Sequence, residues 1–152
     1  MRKVFLFVLF VFLSLISNEL IAQIKHFHGT WTMIGTTYVF EFDLYLKHEE
    51  GNKVAGHFDW KAVRYDENSP ASIDYYQPKI GATAKEFVRG TFNPKTNQYL
   101  LKGYKKDDPQ MIISTDIYRL QLDEYDDIGG DSKAHNTWLG RINGSAVKKN
   151  AA

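Results

Sequence analysis

The chain has 152 residues, with 19 Lys and Arg against 18 Asp and Glu and no cysteine. Balanced charge excludes the concentrated positive surface of a nucleic-acid binder, and the lack of cysteine excludes disulfide staples and a cysteine-borne lipid anchor. Whatever folds here must stand on a hydrophobic core, for which the chain is long enough.

The first residues read as an address. Arg2 and Lys3 precede an almost wholly apolar run, Val4 to Ile16, followed by polar residues and Leu20-Ile21-Ala22-Gln23. Basic, apolar and small-residue regions in that order make a secretory signal peptide over residues 1–22, with cleavage expected after Ala22. An uncleaved N-terminal anchor is the rival reading, although the apolar run is shorter than the roughly 20 residues that span a bilayer. Export implies a secreted or periplasmic protein with no membrane span after cleavage.

From residue 23 onward the pattern is that of strands. Gly29 to Ile34 is a short first segment. In Tyr38 to Lys47, Tyr38, Phe40, Phe42, Leu44 and Leu46 share one face and charged residues the other, the period-two alternation of a half-buried strand. Glu49 to Asn52 reads as a turn, and Lys53 to Val63 returns from it. Pairing Leu46 with Val54 puts Leu44 opposite Gly56, Phe42 opposite Phe58 and Phe40 opposite Trp60, burying every apolar residue on one face. The same register sets His57 across from Asp43 on the outer face.

Val54-x-Gly56-x-Phe58 recurs as Val88-x-Gly90-x-Phe92, which marks a second hairpin, Ala84 to Phe92 and Gln98 to Lys105. Met111 to Leu122 is a sixth run. Thr137 to Gly144 is the last, with Trp138, Gly140 and Ile142 on one face. Glycines within strands suit a strongly curved sheet. No stretch carries a helical stripe. Arg64 to Thr83 and Asp123 to Asn136 are expected to be long connections, and such connections are functional or mobile in compact domains. The expected fold is all-β, an antiparallel meander of about seven to eight strands closed as a small barrel, with a sandwich as the alternative. It occupies residues 23–145, ahead of a disordered tail over 146–152.

Gly29-Thr30-Trp31 on the first strand resembles the signature of the lipocalins and wider calycins. That resemblance implies an up-and-down barrel with an apolar cavity at one end. It further implies that Trp31 closes the barrel's bottom beneath an arginine, for which Arg141 and Arg119 are candidates. Trp31, Trp60 and Trp138 as plain core filling is the competing assignment.

Glu86 shares a face with Val88, Gly90 and Phe92, and Asp116 with Tyr118, Leu120 and Leu122, so both carboxylates point inward. A buried carboxylate costs several kcal/mol unless paired or hydrogen-bonded. It either lines a pocket or meets Lys105 or Tyr104 across the hairpin. Two strands flanking a third lie about 10 Å apart, too far for a joint glycosidase-type reaction. His26 and His28 offer two metal ligands without a third. The acidic loop Asp123 to Asp131 matches no calcium-loop spacing. No nucleophile elbow or phosphate-cradling loop occurs. Neither an enzyme nor a cofactor or metal is therefore expected.

The residues point to an exported barrel that binds a small apolar or amphipathic ligand through Trp31, Phe58, Trp60, Glu86, Tyr118 and Trp138, with Tyr75 and Tyr76 at the mouth. The alternative is a protein- or glycan-interaction module with a filled core.

Overall fold

The computed structural model describes residues 24–148. The leader assigned to residues 1–22 and the end of the chain beyond 148 lie outside the described residues. Eight strands form one antiparallel meander: β1 (Ile24–Met33), β2 (Val39–His48), β3 (Lys53–Arg64), β4 (Thr83–Asn93), β5 (Gln98–Asp107), β6 (Ile117–Leu122), β7 (Asp127–Ala134) and β8 (Thr137–Ala146). Each pairs with the next, and β8 pairs with β1, with Trp31 opposite Ile142, so the sheet closes into a barrel without a free edge.

Alternation drives this closure. Phe40, Phe42, Leu44 and Leu46 on β2 all point inward and are buried. They meet Val54, Phe58 and Trp60 from β3, Val88 from β4, Tyr99 and Leu101 from β5, and Tyr118, Leu120 and Leu122 from β6. Burying each such side chain contributes about 1.5–3 kcal/mol. The repeated Val-x-Gly-x-Phe segments lie against each other, Val54 opposite Gly90 and Gly56 opposite Val88, so a large residue faces a small one in both rows.

Several details depart from the sequence pattern. In the first hairpin Leu46 lies opposite Gly56, Leu44 opposite Phe58 and Phe42 opposite Trp60, two residues away from the expected register. The turn falls on residues 49–52 as expected, but it is closed by the Glu49 N–H on the Lys53 carbonyl, which sets the shifted pairing. A slip of two keeps every side chain on its own face. His57 consequently faces Tyr45 instead of Asp43. The expected loop Asp123 to Asn136 is mostly β7, and β8 runs two residues past Gly144 to Ala146. Within Arg64 to Thr83, a short helix α1 (Pro70–Tyr76) and a 3-10 turn (Gln77–Lys79) stand where no helix was expected. Proline at the first helical position suits its fixed φ.

The barrel's two ends differ. Short turns join β2 to β3, β4 to β5 and β6 to β7 at one end, over a filled core. At the other, the α1-bearing connection and residues 108–116 between β5 and β6 frame an opening. Among the described residues, no helix is long and apolar enough to cross a membrane.

Candidate functional site

A cleft of about 650 Å³ occupies the open end. Trp31 and Met33 reach it from β1, Tyr38 from just before β2 and Phe40 from its start, Tyr75 and Tyr76 from α1, and Met111 to Asp116 from the β5–β6 connection. The aromatic rings pack edge to face, Trp31 on Phe40 at 5.6 Å, Phe40 on Tyr76 at 6.4 Å and Tyr38 on Tyr76 at 4.9 Å between centroids. The Tyr75 hydroxyl donates to the Met111 carbonyl at 2.8 Å, tying α1 to the opposite rim. Tyr75 and Tyr76 therefore stand at the mouth, as the sequence suggested.

Glu86 forms the floor. It is 0% exposed, deep in the interior of β4. Three donors converge on its carboxylate: the Tyr118 hydroxyl and the Trp60 indole N–H (3.3 Å) on Oε2, and the Asp116 backbone N–H (2.9 Å) on Oε1. Burial pushes the carboxyl from its ordinary 4.5 up to about 7, and the nearby Asp116 charge adds to the rise. The three hydrogen bonds act the other way but do not offset desolvation. Burial likewise drives the Tyr118 hydroxyl well above its usual 10. Neither expected cross-hairpin partner takes part. A bulge opposite Phe87 and Val88 leaves Tyr104 unpaired in the ladder, and Tyr104 and Lys105 are exposed. Gly103 makes the room, because a Cβ there would lie 1.9 Å from Glu86 Oε1.

Asp116 lies beside this cluster and is 8% exposed. Its Oδ1 accepts a hydrogen bond from the Ser114 hydroxyl at 2.7 Å. Lys106, on the rim, is engaged elsewhere, with Nζ 3.0 Å from Asp108 Oδ2 and 2.5 Å from the Ile113 carbonyl.

Of the six residues the sequence singled out, the structure gathers five around this end. Trp31 borders the cleft, Trp60, Glu86 and Tyr118 form its polar base, and Phe58 is buried below, stacked on Trp60 at 4.7 Å. Trp138 is the exception. It is 38% exposed on the outer face, with the Arg119 guanidinium 4.5 Å from its ring. A bulge at Leu139, where Ser132 faces Gly140 but Lys133 faces Trp138, breaks the alternation and turns Trp138 out while Gly140 stays in. Tyr38 and Phe40, which alternation had already placed on the inward face, and Ile112, Ile113 and Ser114, which it had not singled out, complete the walls.

The role implied for Trp31 also needs correction. Its ring lies against Gly140, its indole N–H donates to the Ser132 hydroxyl at 2.7 Å, and it borders the open end. Arg141 and Arg119 are both exposed, and Arg119 stacks on Trp138. The remaining candidates lie on the barrel's outside. His26 and His28 both turn to Asp43, at 2.7 and 3.3 Å, and His57 lies 3.6 Å from Asp59. In the acidic segment, Asp123 Oδ1 accepts the Tyr125 and Asp127 backbone N–H groups at 2.8 and 2.9 Å, which makes a tight turn. Among the described residues, no group of three or more His, Asp or Glu side chains is placed to hold a metal.

No protein-family model matches the chain, and no curated protein matches it in sequence. The eight-stranded antiparallel closed barrel is consistent with the lipocalin-like plan at the level of architecture.

Proposed function

We propose that this protein is an exported barrel that takes up a small apolar or amphipathic ligand in the cleft at its open end. The observation that carries the proposal is the cleft itself. Its volume of about 650 Å³ falls within the several hundred Å³ typical of small-molecule sites, and its apolar walls surround a few convergent polar groups, as such sites do. The apolar leader with its basic start supports action outside the cytoplasm.

Native mass spectrometry of the protein, purified without denaturant from the exported fraction of its own host, tests the reading. A bound species of constant mass is expected, and Ile113→Glu, which places a charge in the wall, is expected to remove it while the far-UV spectrum stays that of the barrel. Protein that flies bare, and that saturably binds no apolar or amphipathic compound added to it, overturns the proposal.

A further inference from the structure

Resting on that ligand-binding reading, we infer that the cleft selects an amphipathic organic cation, an ammonium or quaternary ammonium group carried on an apolar body. The argument is one of unbalanced charge at the cleft's base. Glu86 and Asp116 lie next to each other, both at least nine-tenths buried, and both border the cleft. Among the described residues neither takes part in an ion pair. The donors on Glu86 are a phenol, an indole and a peptide N–H. They satisfy its lone pairs and bring no positive charge. Lys106, the lysine that borders the cleft, has its ammonium committed to Asp108 and to the Ile113 carbonyl.

Asp116 shows where the missing charge would sit. Its Oδ1 is taken by Ser114, while Oδ2 receives no hydrogen bond from a described residue. No buried side-chain oxygen among these residues lacks a partner, so Oδ2 keeps some exposure, and it belongs to a residue that borders the cleft. A carboxylate oxygen presented at the base of a mostly apolar cleft is an acceptor waiting for a cation, since an anion there is unfavourable unless paired. The walls suit the same ligand. Aromatic rings attract a cation through their quadrupole, most strongly where water is excluded, and Trp31, Phe40 and Tyr76 would take up its apolar body.

Matched probes of one chain length, decyltrimethylammonium, decanol and decanoate, decide the matter when titrated below their micelle concentrations into the purified full chain at pH 8. Calorimetry and tryptophan fluorescence give the affinities. The ammonium is expected to bind about ten-fold more tightly than the alcohol, and the carboxylate more weakly still. Asp116→Asn is expected to bring ammonium and alcohol to within about three-fold of each other, with the far-UV spectrum unchanged. Alcohol or carboxylate binding as tightly as the ammonium overturns the cation preference and leaves the ligand-binding cleft standing. Failure of all three probes to bind overturns both. Should Asp116→Asn not fold, the ranking of the three probes on the unaltered protein still decides.

Discussion

Replacing Glu86 with glutamine removes a fully buried carboxyl from the barrel interior, and its effect on stability can be worked through. In the folded protein burial holds the carboxyl at about 7, against 4.5 for the ordinary group. Below pH 4.5 both folded and unfolded chains keep the proton. Between 4.5 and 7 only the folded chain keeps it, so stability falls as the pH rises. Above 7 both have lost it and the loss is complete. Over that interval, at about 1.4 kcal/mol per pH unit, the loss comes to about 3 kcal/mol. Glutamine does not titrate, and its cost in imperfect hydrogen bonding to Trp60, Tyr118 and the Asp116 N–H is constant across this range. Urea unfolding followed by tryptophan fluorescence at pH 4.5, 5.5, 6.5 and 8 is the assay. The stability of the natural chain minus that of Glu86→Gln should fall by about 3 kcal/mol from the lowest pH to the highest. Burial lowers the affinity of His48 and His57 for protons. Both therefore add stability that grows as pH rises toward and through 6.5, but they do so equally in both proteins and cancel in the difference. A flat difference would refute the assignment of Glu86 as a desolvated carboxyl.

Four further substitutions test the geometry. Gly103→Ala places a methyl 1.9 Å from Glu86 Oε1 and is expected to cost about 1–3 kcal/mol through overpacking, read as a lowered urea midpoint. Ser132→Ala leaves the Trp31 indole N–H without its acceptor. It should cost about 1–3 kcal/mol and change the tryptophan emission, and an unchanged spectrum would count against the bond. Trp138→Ala should cost about 1 kcal/mol or less, mainly a surface cation–π contact. Trp60→Ala should cost about 3–5 kcal/mol, so equal losses at the two positions would contradict their placement on opposite faces.

Alternation in β2, β3 and β4 told which side chains enter the barrel, and it pointed Glu86 inward without error. It could not distinguish a register from its neighbour two residues away, because both bury the same set, and so the first hairpin was misplaced by two. β7 was hidden because its inward residues after Ile128 are Gly130, Ser132 and Ala134. None has strand propensity, yet small size there leaves room for Trp31. Bulges at Leu139 and Tyr104 inverted the phase locally, turning Trp138 outward and taking Tyr104 and Lys105 away from Glu86. The partners that Glu86 does find, Tyr118 and the Asp116 N–H, are some 30 residues distant along the chain. They are brought near only by curvature and by the backbone preceding β6. The helix α1, at seven residues, is too short to display a stripe.

Because β1 is zipped to β8, the first strand of the barrel must wait for the last before its outer backbone groups find partners. Contacts this far apart in sequence slow folding, and until they form both flanking strands offer open hydrogen-bonding rims to other chains. A chain shortened before Thr137 would lose β8 and leave β1 and β7 as two such rims, and its expected fate is self-association instead of a smaller barrel.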